Sequence, residues 1–444
     1  MSTAIAGDFG RVRNPLEGLL GWLFGTLGVT LMMSIIVVQA PLPPEMGHSC
    51  EATGGATCYY VSPTGTGVGT EGDPGSIEDI LPDLSGGDYL YMRGGSYTTS
   101  YVGDDYTAIM VADKGFLWPS TTASTPVTIK SYTGETAIID GGNTVSPCIA
   151  VDRQSHVIFE DFTVRNCVNH GFFVGENSPS DDLTFRNLTM YDIKYVDNSG
   201  FITINSYDNV TIEDSTFYDY IGRDGDGFVG NYLKFFRASD VTVQNNLMHG
   251  DGGGLYYKHG SDSGGTTVIS GNTFRDLTRH GVYTNQTDTE ITGNLFYGNA
   301  TFDILVHQED GSSGTYTYGV DITYNTIVGQ GISLNAGNGT LGAYNATVEN
   351  NIIQDGEYEI FRFGSGSQYT TGVGLTSDNN CFYQTSGSQS IDYFGAGSGG
   401  TYTLTQWKAE GFDSTSVEAD PDLQGDYTLG GSTNCSGKGH TAAP

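Results

Sequence analysis

From Val157 to Ile353 the chain repeats one phrase in which apolar or β-branched residues fall near the first and third places and again at the eighth. Asn or Asp recurs at the fifth or sixth place. The copies read VIFEDFTV from Val157, LTFRNLTM from Leu183, VTIEDSTF from Val210, VTVQNNLM from Val241, TVISGNTF from Thr267, TEITGNLF from Thr289, VDITYNTI from Val320 and ATVENNII from Ala346. Their starts are 26, 27, 31, 26, 22, 31 and 26 residues apart. A unit this short cannot bury its own apolar face, so it must stack on its neighbours. Leucine-rich repeats share the length but carry an LxxLxLxxN phrase and a helical half, and propeller blades are longer. The pattern therefore predicts an all-β solenoid whose coils lie in parallel register. Asn and Asp at the turn fit, because they tolerate left-handed backbone angles and can hydrogen-bond along a stack.

A second strand is predicted between successive phrases: GFITIN at Gly200, YLKFFR at Tyr232, GLYYKH at Gly254, GVYTNQ at Gly281, DILVHQ at Asp303 and GISLNA at Gly331. Side chains alternate in and out along a strand. With Ile202, Ile204, Leu233, Phe235, Leu255, Tyr257, Val282 and Thr284 pointing inward, the outward set holds Asn205, Lys234, Phe236, Tyr256, Lys258, Tyr283, Asn285, His307 and Asn335. Upstream, YYVSP, DYLYMRGGSY and VTIKSY read as strands cut by Gly, Pro and Asp, with a short helix around Ser76 to Leu81 that would cover the open end of the sheet.

Composition agrees with many short strands: 65 of 444 residues are Gly, and only 16% are charged. The formal net charge of −33 makes a nucleic-acid partner unexpected, along with an anionic membrane surface. An apolar run from Leu19 to Ala40 follows Arg11 and Arg13. It reads either as a signal peptide ending at Ala40 or as an uncleaved anchor, the one segment through which a membrane would be met. Both place the rest outside the cell, secreted or surface-anchored. The six cysteines form no CxxC pair, and neighbour pairing would join Cys50 to Cys58, Cys148 to Cys167 and Cys381 to Cys435, one of fifteen connectivities.

YYVSPTGTG, GDYLYMRGGSYT, the IIDGG at Ile138 and the closing LTQWKAEGFDSTSVEADPDL with GDYTL complete the pattern. With them the chain resembles the right-handed parallel β-helix proteins of the pectin-lyase-like group from Tyr59 to Ala443. The resemblance implies a single-stranded right-handed parallel β-helix with an N-terminal cap. The expected division is 1–40 signal or anchor, 41–145 cap and first coils, 146–375 repeats, and 376–444 closing coils. It does not select an activity, since the fold carries lyases, hydrolases, epimerases, adhesins and tailspikes.

The outward set suggests the chemistry. Basic, aromatic and amide groups on one face suit an acidic polysaccharide, with Lys234, Tyr283, Asn285, Arg275, Arg279 and His307 as binding candidates. Cleavage of a uronic-acid polymer by β-elimination needs a cation for the carboxylate, a base for the C5 proton and an acid for the leaving oxygen. Lys258 is the candidate base, Arg237 the carboxylate or leaving-group partner, and Tyr256 and His259 the auxiliaries. Asp224, Asp226 and Asp251, in RDGDG and HGDGGG, are candidate Ca²⁺ ligands, although Asp-Gly is also ordinary turn chemistry. LYYKHG resembles the LRHG region of the alginate-lyase and chondroitinase B family. Here, however, Arg237 and Lys258 stand exchanged relative to that family's Lys and Arg. The family's metal-binding Glu pair is missing, since Gly230 and Tyr232 fall there. Two other readings stay open: a non-catalytic adhesin or tailspike-like binding module, and a glycoside hydrolase with two carboxylates facing across the groove.

Overall fold

Each repeat phrase folds as two strands, not one. In the first copy, Val157–Glu160 and Thr163–Arg165 are separated by a two-residue bend at Asp161 and Phe162. The computed structural model describes residues 50–113, 115–175, 180–196, 198–222, 230–258, 265–286, 288–307, 319–335, 346–361, 374–387, 391–395, 398–431 and 433–440. The apolar run before Ala40 lies outside them, and among the described residues no helix is long and apolar enough to cross a membrane.

A third strand, the one predicted between phrases, completes each coil. Stacking the coils makes three sheets, each of twelve strands among the described residues, parallel except for a final antiparallel strand, Ser398–Tyr402. Register follows the phrase: Val157 pairs with Leu183, Leu183 with Val210, and Val210 with Val241. The inward positions form one continuous core along the solenoid. Phe159 and Phe185 stack at 5.4 Å, with Phe172 edge-on to both at about 5 Å.

The bend has a local cause. Its first residue takes a left-handed angle, and the chain supplies Asp161, Asn187, Asp214, Asn245, Gly271, Gly293, Asn350 and Asn379 there, all with φ between 50° and 65°. Tyr324, at φ 56°, is the exception in this column. The second bend residue turns inward. Asn246, Asn272, Asn294, Asn325, Asn351 and Asn380 fill that place, all fully buried. Each of the first five donates its side-chain Nδ2 to the Oδ1 of the next at 3.0–3.1 Å, and that Oδ1 also accepts the donor's backbone N–H. The ladder thus satisfies, coil by coil, the polar groups that the bend would otherwise orphan. Asn380 belongs to a ninth copy, LTSDNNCF from Leu375, in register with the eighth.

The predicted N-terminal helix forms over Ile77–Ile80, capped by Ser76, and buries Ile77 and Ile80. At the other end, the helix Leu404–Ala409 opens on a Thr403–Gln406 capping box. It buries Trp407, whose indole donates to Asp413 at 2.9 Å. The three disulfides are those of neighbour pairing. Beyond Cys435 the chain lies back along the second sheet. There the Lys438 ammonium donates to Asn379 Oδ1 at 2.9 Å, Gly439 N–H to Asn350 O at 2.8 Å, and His440 N–H to Thr326 Oγ1 at 3.1 Å.

Candidate functional site

The third sheet carries the face that alternation predicts. Ile202, Ile204, Leu233, Phe235, Leu255 and Tyr257 point inward and are fully buried. Their outward neighbours Phe173, Thr203, Lys234, Tyr256 and Tyr283 stand in register on five successive coils, about 4.8 Å apart. A parallel line of Asn205, Phe236 and Lys258 runs two residues further along the strands. The strands can approach this closely because Gly254 lies over Gly281, where a Cβ would come within 2.1 Å of the Gly281 carbonyl oxygen.

Lys234 is outward in register yet only 2% exposed. A buried ammonium is costly unless it is hydrogen-bonded. This one donates to the Asn198 carbonyl at 2.9 Å and to the Asn198 side-chain oxygen. It also lies 5.1 Å from the Phe236 ring centroid and 5.9 Å from that of Tyr256. The Tyr256 and Tyr283 rings follow at 4.7 Å from one another, and His280 packs 5.3 Å from Tyr283. The result is a fixed cation beside a run of aromatic rings.

Two buried histidines flank the column. His170 makes 2.9 Å contacts with Asn169 Nδ2 through Nε2 and with Thr203 Oγ1 through Nδ1. Burial, aided by the Lys234 charge, lowers its pKa to about 4. Burial, with Arg279 adding to it, lowers that of His280 to about 3. Both rings are therefore neutral near pH 7. Asp303, fully buried at the entry to the next strand, is pushed the other way, to about 7. It accepts from Asn299 Nδ2 and the Gln330 and Gly331 N–H groups at 2.7–3.2 Å.

The other sequence candidates divide. Lys258 is half-buried on the Phe236 line, and Asn285 follows Thr284 one coil on, half-buried, its N–H donating to Tyr257 O at 3.3 Å. Arg237 stands one residue past Phe236, exposed, in a left-handed turn at φ 48°. Arg279 lies in the preceding connection, half-buried, with its Cβ beside Gly253. Arg275 does not join them. It lies on the outer face of the second sheet between His249 and Tyr297, with its guanidinium 2.8 Å from Asp276. His307 pairs with Asn335 in the third sheet, but its side chain is outside what is described.

Asp224, Asp226 and His259 lie outside the described residues, and Asp251 is half-buried just before the strand Gly253–Lys258. Three Asp carboxylates are hard oxygen donors of the kind Ca²⁺ takes. Among the described residues, no three His, Cys, Asp or Glu side chains converge as a metal site.

His170, Thr203, Phe173 and Asn198 went unread in the sequence. Thr203 was legible by alternation between Ile202 and Ile204, and HGFFVG at His170 begins a third-sheet strand one coil before GFITIN.

Several solved structures are similar to this chain. A pectate lyase, Pel9A, is 16% identical, with a TM-score of 0.50 over 74% of this chain and 81% of its own. A PL6 family polysaccharide lyase from Pseudopedobacter saltans is 13% identical, with a TM-score of 0.42 over 78% and 92%. A surface adhesin of Streptococcus pneumoniae is 13% identical, with a TM-score of 0.39 over 74% and 89%. No curated protein sequence matches the chain. The family model described as right handed beta helix region matches residues 147–314 and 238–406, more than half of the chain together, and the parallel three-sheet coils are what that description requires. The chain belongs to the right-handed β-helix family.

Proposed function

We propose that the protein is an extracellular polysaccharide lyase that cleaves a uronic-acid polymer by β-elimination on the third-sheet face. One observation carries this reading: the Lys234 ammonium is held in place beside the Tyr256 and Tyr283 rings, on a protein whose formal net charge is −33. A fixed cation in an acidic molecule suits an anionic group, and aromatic rings beside it suit the apolar faces of pyranoses. The pectate lyase supplies only a shared scaffold. Three disulfides and no free cysteine support an oxidising compartment, hence a secreted or surface location.

In the proposed reaction Lys234 faces the uronate carboxylate and stabilises the charge that develops as C5 loses its proton. Lys258, on the adjacent line, takes that proton on its amine. The C5–H electron pair forms the C4–C5 double bond, the C4–O4 bond breaks, and O4 leaves with a proton delivered by Tyr256 or His259. Arg237, at the exposed end of the strand, holds a neighbouring carboxylate. Ca²⁺ bound by Asp224, Asp226 and Asp251 would add charge neutralisation at the same carboxylate.

The test incubates residues 41–444 with alginate, pectate and chondroitin sulfate, with Ca²⁺ and with chelator, following absorbance of the unsaturated uronide. A rise that Lys258→Ala abolishes is the expected result. Product without the absorbance would mark a hydrolase, and binding without product would mark a binding module.

A further inference from the structure

We propose that Thr203 is a hydroxyl donor of this site, paired with Lys234 to grip a carboxylate, and that Asn169 and His170 position it. The inference rests on the third-sheet face being the site.

The hydrogen bonds can be followed in one direction. Ser199 Oγ accepts from Val196 N–H at 3.2 Å, so its own proton goes to Asn169 Oδ1 at 2.6 Å. That contact sets the amide, and Asn169 Nδ2 then points at His170 Nε2 at 2.9 Å. An amide nitrogen only donates, so Nε2 must accept and the neutral ring carries its proton on Nδ1. Nδ1–H donates to Thr203 Oγ1 at 2.9 Å.

With that acceptor position filled by the ring, Thr203 retains one proton to give. No described residue accepts it. Burial and the Lys234 charge both keep the ring from taking a second proton, which would set two N–H groups of His170 and Asn169 against each other.

The backbone leaves room for the hydroxyl beside the column. Gly200, directly before Phe201 on the same strand, leaves the space it occupies: a Cβ there would lie 2.4 Å from Thr203 Oγ1 and 3.3 Å from Lys234 Cβ. Thr203 and Lys234 are cross-strand partners on adjacent coils. A hydroxyl donor and an ammonium at that spacing match a group that only accepts, with two oxygens and a negative charge. A uronate carboxylate is that group.

The test measures kcat and KM on whichever acidic polymer yields unsaturated product, for Thr203→Val, Thr203→Ser, His170→Phe and the double variant, with Tm recorded for each. A hydrogen bond to a charged group predicts a loss in kcat/KM of about 10- to 100-fold for the folded Thr203→Val variant, beside a lowered Tm because the buried His170 Nδ1–H loses its acceptor. Thr203→Ser should recover most of it. The double variant should cost no more than Thr203→Val alone, because His170 acts through Thr203.

Wild-type kcat/KM in Thr203→Val would overturn the proposal while leaving the lyase reading intact, and so would additive losses in the double variant. Should Thr203→Val fail to fold, a folded Thr203→Ser variant with a similar loss of activity would overturn it too. If the wild type binds an acidic polymer without cleaving it, the same variants are read by Kd, with the same expected ratios. A wild type that neither cleaves nor binds removes the site reading, and this proposal with it.

Discussion

Tyr324 shows how much one backbone angle decides. It occupies a bend where every other copy places Asp, Asn or Gly, at φ 56°, and the residue is 43% exposed. A left-handed angle costs an ordinary L-residue roughly 1–2 kcal/mol, and Asn less. Tyr324→Asn should therefore raise stability by about 1 kcal/mol, read as a higher urea midpoint at unchanged m-value. Asp303 makes a pH prediction. Its folded pKa, about 7, lies above the ordinary 3.8. Between those values the folded state holds a proton that the unfolded chain has lost. The stability it contributes is complete below pH 3.8 and is lost as pH rises through about 7. Urea midpoints at pH 5 and pH 8 should differ less in Asp303→Asn than in the wild type. The buried histidines act in the other direction: His170 and His280 stand below 6.5, so their contribution is lost as pH falls from there.

The strand phrase and its ladder set what the sequence could reveal of the elements. Left-handed angles select Asn, Asp and Gly strongly, so the bends were visible as a repeating residue type and the parallel stack followed. What the residue type did not show is that this bend divides each phrase into two strands on different sheets, with the inward set shifting from the third place to the sixth, as from Phe159 to Phe162. Places on the candidate face were legible where alternation alone decides, as for Lys234, Tyr256, Lys258 and Tyr283. It failed for Arg275, which is close to those residues in sequence but on the second sheet, around a corner that period two does not record. The burial of Lys234 was equally hidden, since it depends on Asn198, a coil away. At this scale Asn294→Ala should be severe. It strands the Asn272 backbone N–H and one of its two Nδ2 protons, which donate to it, and takes a donor from the Ile269 carbonyl. Unsatisfied buried groups cost about 1–3 kcal/mol each, so a loss of at least about 3 kcal/mol is expected in denaturant unfolding.

Charge governs how the whole molecule meets a polyanion. At net −33 the protein repels the substrate proposed for it at long range, while the cations of the third-sheet face, Lys234 among them, attract it locally. Salt screens the long-range repulsion first, since the Debye length falls from about 30 Å at 0.01 M to about 8 Å at 0.15 M. kcat/KM on pectate or alginate should therefore rise with NaCl over that interval before falling; a monotonic fall would mean that local attraction dominates throughout. The Cys381–Cys435 disulfide closes a loop of 54 residues, and its removal as a Ser pair should cost up to about 4 kcal/mol on the chain-entropy account. The segment behind it crosses from Asn379 to Asn350 to Thr326, at right angles to the strands and over three coils. A pull on that segment would load those coils in shear, all at once, where a pull on a bare terminal strand would peel them one at a time. The closing end of the solenoid is built as a rivet plate, and mechanical unfolding should begin elsewhere.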